Sequence, residues 1–108
     1  MIVRESGTVD SLDYSGLILG VTPGFPYEAR KTKFKRGDMI VITTDGVTEA
    51  ENRAGELYGE ERLHPFLSGM HGSSADEVRD AIVEEVDRFS HPVGANDDLT
   101  ILVVKRLN

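Results

Sequence analysis

Two apolar runs dominate the patterning of this chain. Met39-Ile40-Val41-Ile42-Thr43-Thr44 is nearly continuous in β-branched and aliphatic residues, and it stops at Asp45-Gly46. Further on, Asn96-Asp97-Asp98 opens Leu99-Thr100-Ile101-Leu102-Val103-Val104, in a segment predicted to continue as strand to Leu107. Runs this apolar predict strands buried on both faces. Ahead of them, Ile2-Val3-Arg4 and Thr8-Val9-Asp10-Ser11-Leu12 flank Glu5-Ser6-Gly7, the pattern of a hairpin. Leu17 to Val21 predicts a short strand. Thr22-Pro23-Gly24-Phe25-Pro26 predicts a loop whose prolines withhold backbone donors. Tyr27 to Phe34 predicts an edge-like strand, given its charges.

Helical signals follow the first run. Val47 to Asn52 predicts a short helical turn, and Gly59 to Leu67 a helix that Pro65 limits or kinks. Ser74-Ala75-Asp76-Glu77 is a capping box and the clearest helix start in the chain. From it Val78, Ala81, Ile82, Val86 and Phe89 recur at helical spacing, until His91-Pro92 and Gly94 end the pattern. No repeat, low-complexity stretch or linker divides the chain.

The strand ends carry the candidate chemistry. A carboxylate at the end of a buried strand is held rigidly and is costly to leave unpaired. If the two apolar strands are antiparallel neighbours, the end of one lies beside the start of the other. Asp45 and Asp97 then face a shared cation, the donor chemistry of an all-oxygen Mg²⁺ or Mn²⁺ site. On spacing alone a plainer reading is favoured for either motif. Asp-Gly after a strand is a turn signal, and Asn-Asp-Asp is ordinary loop chemistry.

Composition narrows the class. At 108 residues the chain is one domain at most, with 39% hydrophobic and 29% charged residues, as in ordinary globular chains. No apolar run approaches the ~20 residues of a membrane span. The start, Met1-Ile2-Val3-Arg4-Glu5, lacks the pattern of a signal peptide. Cysteine is absent, so no disulfide framework or thiolate chemistry is available. These features favour the cytoplasm and no membrane partner. The formal charge of −7 argues against a nucleic-acid surface. Arg30, Lys31, Lys33, Lys35 and Arg36 nevertheless cluster; a solvated strand face is the favoured reading, and a patch for an acidic or phosphorylated protein is the functional one. His64, His71 and His91 have no i,i+4 pairing and no cysteine partners, which argues against zinc. Neither a serine-hydrolase elbow nor a phosphate loop is present.

Four segments together resemble the second half of the SpoIIE-like (RsbU-like) branch of protein phosphatase 2C. They are Phe34-Lys35-Arg36-Gly37-Asp38-Met39 through Asp45-Gly46-Val47-Thr48-Glu49-Ala50, Gly55-Glu56-Leu57-Tyr58-Gly59-Glu60-Glu61-Arg62-Leu63, Asp97-Asp98-Leu99-Thr100-Ile101-Leu102-Val103-Val104, and Gly16-Leu17-Ile18-Leu19-Gly20-Val21. Each is weak alone, but four in this order and spacing are specific, and they cover essentially the whole chain. The resemblance implies an α+β fold, the C-terminal half of a phosphatase 2C-like α/β sandwich. Residues 1–108 then form a single partial domain, with a mostly antiparallel sheet and helices on one face.

The resemblance also implies a function. Asp45 and Asp97 become ligands of a binuclear Mn²⁺ or Mg²⁺ centre in a phosphoprotein serine/threonine phosphatase. Gly46, Glu49 and Asp98 become additional residues of that site: Gly46 for close approach, Glu49 toward a weaker third metal, Asp98 bonding to backbone. The family's first metal motif has no counterpart in residues 1–34; Asp10 and Asp13 lie in the wrong context. Residues outside this chain are therefore expected to complete the site, no catalytic residue is assigned within it, and the chain alone is expected to be inactive. The implied substrate is a phosphorylated STAS-domain anti-anti-sigma protein in bacterial signalling. The alternative is a non-catalytic interaction or dimerisation module derived from the same fold. An uncovered sheet face predicts a homodimer of the isolated chain.

Overall fold

The computed structural model describes residues 1–12, 16–94 and 97–108, so the readings of Asp13 and Asn96 lie outside the described residues. The elements in chain order are β1 (Ile2–Val3), β2 (Val9–Asp10), β3 (Met39–Thr43), α1 (Asp45–Thr48), α2 (Gly59–Gly69), α3 (Ala75–Ser90) and β4 (Ile101–Lys105). The strands form one sheet in the order β2-β1-β3-β4, antiparallel at every pairing. The Glu5-Ser6-Gly7 turn closes the predicted hairpin, with Arg4 N donating to Thr8 O at 2.8 Å.

The sheet has two unlike faces. Met39, Val41 and Thr43 pair with Lys105, Val103 and Ile101 on the face toward the helices. Met39 and Val41 are fully buried there with Leu63 and Leu67 of α2 and with Val78, Ile82 and Val86 of α3. Period-2 alternation sends Ile40, Ile42, Leu102 and Val104 to the other face. On that face Ile42 is 55% exposed, Leu102 53% and Val104 44%. The expectation of strands buried on both faces is thus corrected. The helices cover one side only; the other apolar face is buried at Ile2, which pairs with Ile40, and half-open at Ile42, Leu102 and Val104.

Both long helices form where the sequence predicts them. Ser74 Oγ accepts from Glu77 N while Glu77 Oε2 accepts from Ser74 N, completing the capping box of α3. Helix α2 runs through Pro65 to Gly69 rather than ending near it. Proline there forgoes the bond to the Glu61 carbonyl, and burial of Leu63 and Leu67 on either side outweighs that loss. Tyr58, at the start of α2, is buried, with its ring edge-on to Phe89 at 5.2 Å.

The predicted strands at Leu17–Val21 and Tyr27–Phe34 do not form: neither described segment contains a strand. Ile18 and Leu19 are 78% and 80% exposed. A strand needs a partner edge. β1 and β4 flank β3, and neither segment pairs with the outer edges of β2 or β4. The last strand is also shorter than the predicted Leu99–Leu107. No helix among the described residues is long and apolar enough to cross a membrane.

Candidate metal centre

The end of β3 and the approach to β4 meet at one corner of the sheet. Beyond the last strand pair, Thr43 with Ile101, the chains stay joined through Thr44. Thr44 N donates to Thr100 O at 3.0 Å, Thr100 N donates to Thr44 Oγ1 at 3.1 Å, and Thr44 Oγ1 donates to Asp98 O at 3.3 Å. Thr44, the last residue of the first apolar run, is exposed and links the two acidic segments.

Asp45 opens α1, a single helical turn anchored by the fully buried Val47. Its backbone carbonyl accepts from Glu49 N at 2.7 Å. Gly46 is buried against the other segment. A Cβ built on it would lie 2.5 Å from Asp98 O and 3.7 Å from Asp97 O. Glycine is required here by close backbone approach, since its φ is not in the left-handed region. The Asp97 carboxylate accepts from Asp98 N at 2.8 Å through Oδ1. Asp45, Asp97 and Asp98 are all exposed.

The corner therefore carries two hard oxygen donors on adjoining chain segments, and the close fit at Gly46 holds those segments together. Such donors fit a divalent cation of the Mg²⁺ or Mn²⁺ type. Among the described residues no three His, Cys, Asp or Glu side chains converge as a complete cage. A cleft of about 330 Å³ adjoins Asp45, lined also by Met1, Val41, Ile42, Thr43, Thr44, Thr48 and Glu60. Glu49 is exposed and does not line it. Glu60, from the first turn of α2, does. The contact of α1 with α2 that brings it here has no local signal.

This α+β architecture, an antiparallel sheet with helices on one face and acidic strand ends at one corner, is the fold of SpoIIE-type phosphatase domains. It superposes on the phosphatase domain of the cell fate determinant SpoIIE from Bacillus subtilis (Mn presoaked) with a TM-score of 0.73 and 22% identity, over 99% of this chain and 45% of that one. A second structure of that domain gives a TM-score of 0.60 at 25% identity, over 71% of this chain and 35% of that one. The family model for Stage II sporulation protein E (SpoIIE) matches residues 1–107, and the chain belongs to that family. Phosphoserine phosphatase RsbU of Bacillus subtilis is 29% identical over 95% of this chain and 30% of its own length. Protein IcfG of Synechocystis is 30% identical over 97% of this chain and 16% of its own. The chain thus spans less than a third of the length of these curated relatives.

Proposed function

We propose that this chain supplies the C-terminal half of a metal-dependent phosphoprotein serine/threonine phosphatase centre of the SpoIIE and RsbU type. The observation that carries the reading is the contact of Gly46 with the Asp97–Asp98 peptide, which joins two acidic segments at one sheet corner. Asp45 and Asp97 would hold Mn²⁺ or Mg²⁺ together with donors from polypeptide outside this chain. When bound, a pair of such ions activates water and covers the charge of a phosphoryl group. The chain's own residues do the positioning. Gly46 keeps the corner free of side-chain bulk, and Thr44 locks the two segments in register. The Asp98 N–H orients the Asp97 carboxylate. Glu49 serves at most a weaker third ion. The substrate is a phosphorylated STAS-domain protein of a bacterial signalling pathway, acted on in the cytoplasm; the name of RsbU, phosphoserine phosphatase, supports the reaction class.

The exposed apolar face of β3 and β4 favours a second reading, a non-catalytic module that dimerises through that face. One experiment separates the two. The chain is assayed on a phosphoserine protein with Mn²⁺, alone and joined to the N-terminal half of the SpoIIE phosphatase domain, with calorimetric Mn²⁺ titration beside it. The catalytic reading expects turnover and Mn²⁺ binding only in the joined form, both lost in Asp45→Asn and Asp97→Asn. A folded joined form that binds no Mn²⁺ and does not turn over leaves the dimerisation module.

A further inference from the structure

A second cleft lies at the opposite end of β3, about 20 Å from Asp45 by the rise of the strand. Its volume is about 510 Å³, and Arg4, Glu5, Ser6, Thr8, Lys33, Lys35, Arg36 and Asp38 line it. Four cations and two carboxylates thus meet in one cleft of a chain whose formal charge is −7.

The two carboxylates have different tasks from the cations. Asp38 is only 2% exposed and is saturated. It accepts from Arg4 Nη1 at 2.9 Å, Lys35 N at 2.9 Å and Glu5 N at 3.1 Å. Burial opposes its ionisation, but these donors outweigh burial and hold its carboxyl below the usual range. Arg4 is saturated as well, donating to Asp10 at 2.6 Å, to Asp38, to the Lys33 carbonyl and to Thr32 Oγ1. The pair is a staple: it ties the first hairpin to residues 32–38. Gly37 N donates to Arg106 O at 2.8 Å and pins the same segment to the end of β4. The Glu5 side chain packs against Gly37.

That framework immobilises a backbone belonging to no strand, and it leaves three cations over. Lys33, Lys35 and Arg36 are exposed and form no ion pair among the described residues. Folding charge repulsion into a fixed cleft without a counter-charge is unfavourable for the free protein and favourable for an anionic partner. Lysines at every second position, 31, 33 and 35, repeat with the period of an extended chain. No aromatic side chain lines the cleft to stack bases, which disfavours a single-stranded polynucleotide.

We propose that this cleft docks an acidic, extended segment of a protein partner, through Lys33, Lys35 and Arg36, with the Ser6 and Thr8 hydroxyls as hydrogen-bonding partners. The site is independent of the metal corner and stands whether or not the chain takes part in catalysis.

The test is fluorescence anisotropy with the 108-residue chain and a labelled twelve-residue peptide of alternating Glu and Ser. The neutral Gln–Ser peptide and an oligouridylate of the same length are run beside it. Binding of the acidic peptide is expected, weakened by added salt and reduced about tenfold or more in Lys33→Gln/Lys35→Gln/Arg36→Gln. The charge-matched control Arg53→Gln/Arg79→Gln/Arg88→Gln and the variant Asp45→Asn are expected to bind as the parent does. Thermal melts confirm that the cleft variant is folded; the single Lys35→Gln, expected to lose part of the affinity, replaces it if it is not. Equal loss in the charge-matched control, unchanged affinity in the cleft variant, or tighter binding of the oligouridylate would overturn the proposal.

Discussion

Replacing Gly46 by alanine adds one methyl group where the structure leaves no room. The new Cβ would lie 2.5 Å from Asp98 O and 3.3 Å from Asp98 C, both backbone atoms that cannot rotate away. To reach ordinary contact the two segments must part by roughly 0.9 Å or more. That movement strains the three hydrogen bonds Thr44 makes with Asp98 and Thr100. Overpacking of this kind costs about 1–3 kcal/mol. A smaller gain opposes it, because alanine in a helix is favoured over glycine by about 0.5–1 kcal/mol. The net expectation is a destabilisation of about 1–2 kcal/mol, or roughly a 1–2 M fall in the urea midpoint at a slope near 1 kcal/mol/M. Gly69→Ala is the control. Gly69 also lies in a helix without positive φ, but a Cβ there meets nothing within 4 Å. It should therefore raise the midpoint slightly. Urea unfolding followed by circular dichroism, at one fixed protein concentration, reads both. If Gly46→Ala matched Gly69→Ala, the close approach would not be what demands glycine, and the argument for a tightly joined acidic corner would fail with it.

Leu63→Ala should cost about 2–5 kcal/mol in the same assay, since Leu63 is fully buried between α2 and the sheet. Asp38→Asn should be less stable at pH 7 by about 1–3 kcal/mol, because it weakens a buried acceptor serving three donors. The Asp38 carboxyl is held below its ordinary value of 3.8, so its contribution is present above that pH and is lost as pH falls through the lower folded value. Parent stability should accordingly decline on acidification below about pH 5, and Asp38→Asn should flatten that decline in melts at stepped pH. Ile42→Lys/Leu102→Lys places two charges on the open face, where these side chains are 55% and 53% exposed. Light scattering should find the parent self-associated at micromolar concentration and the variant monomeric; a monomeric parent would remove the dimerisation reading.

Local chemistry in this chain is written in its residues. Ser74 and Glu77 cap α3 through contacts three residues apart, and Val78, Ile82 and Val86 define the buried stripe without reference to any other element. The β3 and β4 runs and the turn chemistry at Gly7 are equally local, and the order of four motifs was enough to identify the family. Three outcomes were decided by tertiary contacts. Leu17–Val21 and Tyr27–Phe34 have strand-like composition, but a strand also needs a partner, and neither segment pairs with the outer edges that β2 and β4 leave open. Ile42 and Leu102 read as core residues, yet helices cover only the side of Met39 and Val41, and hydrophobicity alone does not say which face is covered. Glu60 enters the cleft beside Asp45 while Glu49 stays out, although Glu49 is nearer in sequence. One helical turn leaves Glu49 away from that cleft, whereas the packing of α2 beside α1 brings Glu60, still exposed, to its rim. Bonds between near neighbours can be read along a chain; pairing, face coverage and the meeting of distant side chains depend on where the rest of the chain goes.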